Sequence, residues 1–195
     1  VSIIARLTRI AHDQPGIVIH IHDEWRAAFN SLPARVLERW TNHALPQPDV
    51  AICVCKSVAE VTEWVHGVEP SRQKILLNAI DIENIKSRTT NARDRLRNEW
   101  GIPADAPVLV STSRFGPEKR LLDLVQMIPA VLERVPNAYF VFAGDGPERA
   151  PAMQLVQELG VSAFTRFLGH RTDIPDVITA GDVTTLLCLR EACSY

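Results

Sequence analysis

Apolar residues in the first part of the chain form short continuous runs separated by segments of helical period. The runs typical of buried parallel strands are IVIHI (residues 17–21), VAICVC (50–55) and KILL (74–77). A helix is predicted after VAICVC, because Ser57 and Glu60 have the spacing of a capping box and Gly67 follows as a C-terminal stop. Pro33 predicts another helix over residues 33–44. Residues 1–14 are interpreted as an amphipathic helix.

A second series of the same kind begins at residue 108. Strands are predicted over residues 108–112, 139–143, 165–168 and 183–188. Helices are predicted over residues 119–135, 148–159 and 174–180. Residues 78–106 contain few large apolar side chains and are interpreted as an interdomain crossing. Strands that alternate with helices indicate an α/β fold with two layers and mostly parallel sheets.

Composition limits the class of protein. The 195 residues are 46% hydrophobic and 23% charged, with a net charge of -2, which is typical of a soluble globular chain and argues against a nucleic-acid partner. The apolar runs are shorter than the roughly 20 residues of a membrane span, and residues 1–14 make a poor signal peptide. The four cysteines have the spacing of neither a zinc site nor a disulfide framework, so they are interpreted as buried thiols in a reducing compartment.

Two cations lie in the loop that follows the strand predicted over residues 108–112. Arg114 and Lys119 would be at the carboxyl edge of a parallel sheet, where ligands bind in folds of this class. A guanidinium fork and an ammonium point charge together suit a diphosphate. The alternative is that both side chains are ordinary solvated cations, although a cation at a helix start is unfavourable unless an anion is near.

The next loop, AGDGPER, also joins a strand to a helix. Gly144 and Gly146 allow a tight turn and a close approach of the backbone to a ligand. The loop is not a G-x-G-x-x-G dinucleotide fingerprint, because Pro147 and Glu148 follow and no third glycine occurs. Taken alone, it is a weak signal.

Three further residues occur at predicted strand ends. His20 and His22 alternate with Ile21 and so share one side of a strand, and Glu191 follows the strand predicted over residues 183–188. Packed histidines and a solvated glutamate are the alternative interpretations, and one histidine pair gives little support to a metal site. G-x-S-x-G, P-loop and H-E-x-x-H motifs do not occur, so hydrolase and phosphate-loop kinase functions lose their best support.

The loops taken in order strongly resemble a known family. STSRFGPEKR, PNAYFVFAGDGPER, TRFLGHRTDIPDVITAGDV and LLCLREACSY resemble the C-terminal nucleotide-sugar domain of GT-B glycosyltransferases of family 4. IVIHIHDEW, DVAICVCKSVAE and ILLNAIDIENI resemble the later half of the acceptor-side N-terminal domain. The resemblance implies two Rossmann-like domains of a GT-B fold, both incomplete, over residues 1–88 and 89–195.

The resemblance also implies the roles of individual residues. Those implied to bind the donor nucleotide are Arg114 and Lys119 at the diphosphate, Gly144 and Gly146 along the same cleft, and Gly169 and His170 near the base. Glu191 is implied to face the donor sugar, and His22 to approach the transferred sugar from the opposite domain. The family's Asn-Gly-Ile/Val-Asp is Asn78-Ala79-Ile80-Asp81 here, so Ala79 is expected to have a negative φ.

The implied function is transfer of a sugar from a nucleotide-diphosphate sugar with retention of anomeric configuration, without a metal or other cofactor. The expected acceptor is a glycan or a lipid-linked glycan, and the expected location is the cytoplasm or the inner face of the membrane as a peripheral protein. A second glutamate of the family's E-x7-E motif would fall at position 199, so the chain is interpreted as an internal fragment that is inactive alone. The alternative function is a non-catalytic nucleotide-binding or regulatory relative.

Overall fold

The computed structural model describes residues 4–9, 15–22, 47–89, 91–189 and 191–192. The chain divides into two compact units, Val1–Ile80 with Arg190–Tyr195, and Asp81–Leu189. The units change between Ile80 and Asp81, whereas the sequence places the domain boundary between residues 88 and 89, which stays a prediction. Each unit has its own four-stranded sheet, so the predicted α/β architecture with mostly parallel strands is confirmed.

The sheet of the first unit has the order β1-β2-β3-β4. Its strands are β1 (Ile4–Arg9), β2 (Pro15–Ile21), β3 (Val50–Cys53) and β4 (Gln73–Ile75). Strands β2, β3 and β4 are parallel, as predicted. However, β4 covers Gln73–Ile75 rather than residues 74–77, and Ile75, Leu76 and Leu77 are exposed instead of buried. The helix predicted over residues 33–44 lies outside the described residues.

The predicted amphipathic helix over residues 1–14 is wrong. Residues 4–9 form β1, which pairs antiparallel with β2 so that Ile4 lies opposite His20 and Arg9 opposite Pro15. The β-branched Ile4 and Thr8 suit a strand, and the free edge of β2 supplies the hydrogen bonds. Periodicity along a short segment cannot reveal a partner that is distant in sequence.

Helix α1 (Lys56–His66) follows β3 directly. It ends at Gly67, whose φ of 67° is the left-handed conformation that glycine adopts without strain, as predicted. The predicted capping box is wrong, because the helix begins two residues earlier than Ser57 as N-cap requires, with the extended Cys55 as its N-cap and no side-chain cap bond. The hydroxyl of Ser57 instead lies 3.1 Å from the Sγ of Cys55.

The sheet of the second unit is entirely parallel, with the order β7-β6-β5-β8. Its strands are β5 (Val108–Thr112), β6 (Tyr139–Ala143), β7 (Thr165–Gly169) and β8 (Val183–Thr184). Its helices are α2 (Ile82–Arg88), α3 (Ala92–Glu99), α4 (Leu121–Gln126), α5 (Ile128–Leu132), α6 (Arg149–Glu158) and α7 (Ile174–Ala180).

Alternating side chains of β6 divide the core into two layers. Phe140 and Phe142 pack with residues of α4, α5 and α6, while Val141 and Ala143 pack on the opposite face with α3 and α7. Trp100 and Ile102 are buried in this second layer. The residues that directly follow α3 therefore belong to the core of the second unit, rather than to a crossing between domains.

The single helix predicted over residues 119–135 is wrong in its start and its continuity. Residues Pro117–Lys119 form a 3-10 turn, and Arg120 has a left-handed φ of 52°, so α4 begins at Leu121. A break at Met127 separates α4 from α5, whose second residue is Pro129. Proline has no backbone N–H to donate to the preceding turn, which favours this break. The strand predicted over residues 183–188 is also shorter, since β8 ends at Thr184.

A buried arginine holds several elements of the second unit together. Arg97 is 1% exposed, and its Nε donates to the carbonyl oxygen of Ala180 at 2.9 Å. Its Nη1 donates to the carbonyl oxygens of Ala104 and Ala106, both at 2.8 Å, and its Nη2 donates to the carboxylate of Asp182 at 2.7 Å. The guanidinium charge therefore has a counter-ion as well as hydrogen-bond acceptors.

Asp182 completes this network at the start of β5. The amide of Val108 donates to its Oδ2 at 2.8 Å, and Arg93 donates to its Oδ1 at 2.6 Å. Although burial alone would raise the pKa of Asp182, the hydrogen bonds from Arg93, the Val108 amide and Arg97 lower it to about 2. The carboxylate is thus ionised wherever the second unit is folded near neutral pH.

Two further observations concern the φ of Ala79 and the absence of a predicted membrane span. Among the described residues, the only non-glycine residues with positive φ are Asn91 and Arg120, so Ala79 has the negative φ that was predicted. Within the same residues, no helix has the length and apolarity needed to cross a membrane.

We expect Arg97→Ala to lower the free energy of unfolding by about 3–5 kcal/mol, because it leaves buried carbonyl groups and Asp182 without their donor. Arg93→Ala removes a half-exposed partner of the same carboxylate and should cost less than about 1 kcal/mol. Urea unfolding followed by the fluorescence of the buried Trp100 measures both. Equal losses of unfolding free energy in the two variants would contradict the central position of Arg97 in this network.

The contribution of Asp182 should depend on pH. Its folded pKa of about 2 lies below the unfolded value of about 3.9, so its stabilisation is complete above about pH 4 and is lost as the pH falls towards 2. The difference in unfolding free energy between the wild type and Asp182→Asn should shrink over this range. A difference that stays constant down to pH 2 would contradict the low pKa.

Candidate functional site

The carboxyl ends of β5, β6 and β7 lie side by side at one edge of the second sheet, because the three strands are parallel neighbours. Each strand leads into a loop that the sequence singled out: residues 113–120, 144–148 and 170–173. This is the edge at which open α/β sheets bind ligands. The structure therefore brings Arg114, Lys119, Gly144, Gly146, Gly169 and His170 into one set of adjacent loops.

Backbone hydrogen bonds join the first two loops. The amide of Ser113 donates to the carbonyl of Ala143 at 3.1 Å, and the amide of Phe115 donates to that of Asp145 at 2.9 Å. The carbonyl of Phe115 in turn accepts from the amide of Glu148 at 3.0 Å. Since bonds run in both directions, each loop fixes the path of the other.

The two glycines of the AGDGPER loop are required by this close approach. Both have a φ of 151°, a conformation that residues with a side chain rarely adopt. A Cβ on Gly144 would lie 1.8 Å from the carbonyl oxygen of Ser113, and one on Gly146 would lie 2.6 Å from that of Phe115. Neither position has room for a side chain, because the neighbouring atoms are backbone.

The third loop joins the same assembly through Gly169. Its carbonyl accepts from the amide of Gly144 at 2.8 Å, and its φ of 69° is left-handed. A Cβ on Gly169 would lie 3.7 Å from the Nη2 of Arg149, which is ordinary contact, so its conformation alone favours glycine. The next residue, His170, is exposed.

The side chain of Phe115 attaches the first loop to the core of the second unit. Its side chain is fully buried and contacts Phe167 edge-on, with ring centroids 6.4 Å apart, and Phe167 contacts Phe142 at 5.3 Å. Aromatic pairs at these separations add to the stability of the core. The loop is therefore attached both by its backbone and by a core side chain.

Arg114, one of the two predicted diphosphate ligands, is exposed and contacts a carboxylate of its own loop. Its Nη2 donates to the Oε1 of Glu118 at 2.6 Å. This hydrogen bond is the main reason that the pKa of Glu118 is lowered. The four-residue spacing is the only signal for this pair in the sequence, and Glu118 belongs to no motif.

Lys119, the other predicted ligand, is half-buried and ends the 3-10 turn. Because α4 begins at Leu121, the residue at the helix start is Arg120, which contacts the carboxylate of Asp123. For Arg114 and Arg120, the protein itself thus supplies an anion, Glu118 and Asp123 respectively. Helix position therefore gives no separate support for a bound anion, and the roles of Arg114 and Lys119 stay predictions.

Arg171, beside His170, is held by two carboxylates. Its Nε and Nη2 donate to Asp173 at 2.8 and 2.7 Å, and its Nη1 donates to Glu99 at 3.0 Å. The hydrogen bonds from Arg171 also lower the pKa of Asp173. The guanidinium therefore fixes the third loop against α3.

The two residues predicted to be catalytic belong to the first unit. His22 is exposed, directly after β2, and its Nε2 lies 3.2 Å from the Nδ1 of His20. Glu191 is exposed, in the segment that groups with the first unit. No group of three or more His, Cys, Asp or Glu side chains suited to a metal occurs in the described part of the chain.

Sequence comparison finds one family match. Residues 92–194 match the family described as "Glycosyl transferases group 1", and this range is more than half of the 195 residues. It contains the three loops of the candidate site and extends through Glu191.

Related proteins carry names of sugar transfer or of a related synthesis. N-acetyl-alpha-D-glucosaminyl L-malate synthase of Bacillus anthracis is 28% identical over 179 residues, which are 90% of this chain and 44% of that protein. UDP-Gal:alpha-D-GlcNAc-diphosphoundecaprenol alpha-1,3-galactosyltransferase of Escherichia coli is 24% identical over 192 residues, 95% of this chain and 49% of that protein. The chain thus spans less than half the length of these relatives.

A solved structure shares the fold. The crystal structure of Anabaena Alr3699/HepE in complex with UDP and glucose has a TM-score of 0.69 and 24% identity, over 88% of this chain and 46% of that one. Together with the parallel sheets, this likeness identifies the architecture as that of GT-B glycosyltransferases.

Gly144→Ala should destabilise the protein by about 3 kcal/mol or more, since it combines an unfavourable φ with a clash against the Ser113 carbonyl. Gly160→Ala is the matched control. Gly160 also has a positive φ, of 69°, but nothing lies within 4 Å of its Cβ position, so the cost should be about 1 kcal/mol. Urea unfolding measures both, and similar costs would show that the contact between the loops is loose.

Proposed function

The chain belongs to the glycosyl transferases group 1 family, and on this premise we propose that it is part of a retaining glycosyltransferase. The enzyme transfers a sugar from a nucleotide-diphosphate sugar to a glycan or lipid-linked acceptor. The Escherichia coli relative is named for a diphosphoundecaprenol-linked acceptor, which supports the lipid-linked class. Such an acceptor would place the enzyme in the cytoplasm or at the inner membrane face as a peripheral protein.

The observation that carries the proposal is the joined set of three loops at the carboxyl ends of β5, β6 and β7. Gly144 and Gly146 lack the side chains that would separate the first two loops. The loops are held by backbone bonds and by the buried Phe115. A rigid edge of this kind costs little reorganisation when a charged ligand binds.

The proposed diphosphate ligands are Arg114 and Lys119. The guanidinium of Arg114 offers two parallel N–H donors to phosphate oxygens, and Lys119 adds a positive point charge. When the bond between the sugar and the diphosphate breaks, negative charge grows on the leaving group. Fixed cations stabilise that charge, so the proposed chemistry requires no metal ion.

Glu118 is a carboxylate that contacts Arg114. A diphosphate carries more charge than one carboxylate and can bind both cations, so it would replace Glu118 at the guanidinium. The pair is largely exposed, with 74% and 35% of the two side chains accessible, so exchange should be easy. We infer that Glu118 occupies the diphosphate position on Arg114 until the donor binds.

The remaining roles follow the family resemblance. Gly169 and His170 lie in the loop proposed to face the base, where Arg171 fixes the loop and His170 exposes its ring. His22 is proposed to contact the transferred sugar, and Glu191 to face the donor sugar. In the alternative, non-catalytic function, the protein binds a nucleotide but transfers no sugar.

The double variant Arg114→Ala with Lys119→Ala should bind nucleoside diphosphates several-fold to about a thousandfold more weakly, since each charge-assisted contact contributes about 1.5–3 kcal/mol. Isothermal titration calorimetry of the 195-residue chain with UDP, GDP and ADP measures this. Arg120→Ala is the control, because Arg120 pairs with Asp123 on the surface and should leave affinity unchanged. Wild-type affinity in the double variant would overturn the assignment, and binding without transfer in the longest natural form would favour the non-catalytic alternative.

Glu118→Gln should bind the same diphosphate up to about fivefold more tightly, because an exposed ion pair that the ligand must replace is worth up to about 1 kcal/mol. The pKa of Glu118 is lowered, so the wild-type pair persists as the pH falls through the ordinary glutamate range, about 4.3. The difference in affinity should shrink only when the pH falls further and Glu118 is protonated. Weaker binding in Glu118→Gln would mean that Glu118 supports the ligand rather than competing with it.

A further inference from the structure

Two histidine rings lie against each other at the end of β2. His20 and His22 are two residues apart in an extended segment, so their side chains share one face. Their ring centroids are 4.0 Å apart with planes tilted by 50°, and the Nε2 of His22 lies 3.2 Å from the Nδ1 of His20. This distance is that of a hydrogen bond between two ring nitrogens.

A hydrogen bond between two neutral imidazoles fixes the tautomer of each ring relative to the other. One of the two facing nitrogens must carry the hydrogen and the other must offer its lone pair. If the Nδ1 of His20 donates, its own Nε2 has no hydrogen, and His22 must carry its hydrogen on Nδ1. If the Nε2 of His22 donates, the hydrogen of His20 is on Nε2 instead.

The surroundings of His20 distinguish these two cases. Its Nε2 is buried and has no hydrogen-bond partner among the described residues. A buried N–H without an acceptor is rare in proteins, and an unsatisfied acceptor is somewhat more common. The first arrangement leaves only a lone pair in the buried position, so it is the favoured one.

His20 is also kept neutral by its position. Burial first, and then the charge that His22 would carry, lower the pKa of His20. A protonated His20 would place an N–H in the buried position that offers no acceptor. The ring is therefore suited to hold one hydrogen, on the nitrogen that faces His22.

We propose that His20 is a positioning residue, which donates from Nδ1 to the Nε2 of His22 and so fixes His22 as the tautomer with its hydrogen on Nδ1. This proposal rests on the proposed function only where it gives His22 a contact with the transferred sugar. In this tautomer the Nδ1 of His22, which does not face His20, carries the hydrogen and can donate it. His22 would thus offer an N–H to a hydroxyl oxygen of the sugar rather than act as a base.

The tautomers can be read directly from the ring nitrogens. Long-range proton–nitrogen correlation spectra of the nitrogen-15-labelled 195-residue chain, at a pH well above the ordinary histidine pKa of about 6.5, distinguish protonated from unprotonated ring nitrogens. We expect both rings to carry hydrogen on Nδ1 and to lack it on Nε2. Hydrogen on the Nε2 of His20 would overturn the proposal.

A matched pair of variants separates the direction of the hydrogen bond from its presence. The side chains of asparagine and aspartate have nearly the same shape, but only asparagine can donate, while ionised aspartate can only accept. In His20→Asn, His22 should keep a substantial population with hydrogen on Nδ1. In His20→Asp, its hydrogen should move to Nε2. A purely structural role of His20 predicts the same His22 spectrum in both variants, and that result would also overturn the proposal.

Kinetics of the longest natural form extend the test to catalysis. His20→Asp should lower kcat for sugar transfer roughly tenfold with an unchanged KM for the donor, whereas His20→Asn should retain kcat within about threefold. An equal loss in both variants would overturn the catalytic part of the proposal. Failure of the proposed function is distinguishable, because it would abolish transfer in the wild type while leaving the predicted tautomers unchanged.

Discussion

The stability of the second unit depends on the hydrogen-bond acceptors that surround one buried positive charge. Arg97 is 1% exposed, and a guanidinium at this depth is tolerated only when its donors are satisfied and its charge is paired. The acceptors lie on the carbonyls of Ala104, Ala106 and Ala180 and on Asp182, so the segment that follows α3 and the chain at the end of α7 must both converge on Arg97. Asp182 also accepts a hydrogen bond from the amide of Val108, which fixes the first residue of β5. The loop at the other end of that strand is thereby held in place.

The candidate site is defined more by backbone than by side chains. Four amide-to-carbonyl bonds join the loops after β5, β6 and β7, and glycine at positions 144 and 146 is what allows them to approach. The charged groups sit on this frame, and Arg114 contacts Glu118, which we propose a diphosphate replaces. A rigid frame that carries such charges would combine low reorganisation with reversible binding, and both properties suit the proposed release of a diphosphate product.

The sequence predicts those elements whose cause is local. Strands β5 and β6 and helix α7 have the predicted bounds, because a continuous apolar run or a proline near the helix start specifies each of them. Two elements were predicted wrongly. Strand β1 depends on pairing with the edge of β2, and the start of α4 is shifted by the left-handed conformation of Arg120, which no rule for arginine predicts. At the site, motif order identified the loops, but the pairing of Glu118 with Arg114 and the buried nitrogen of His20 appear only when side chains have coordinates.

The contact at Gly144 also bears on how such a protein can diversify. Its nearest neighbour is the main-chain carbonyl of Ser113, so its first requirement is the absence of a side chain at position 144. The exposed position 147 takes no part in this contact and can therefore change without separating the loops. A lineage built on this frame can alter such exposed loop residues in single steps, each of which leaves a folded protein for selection to act on.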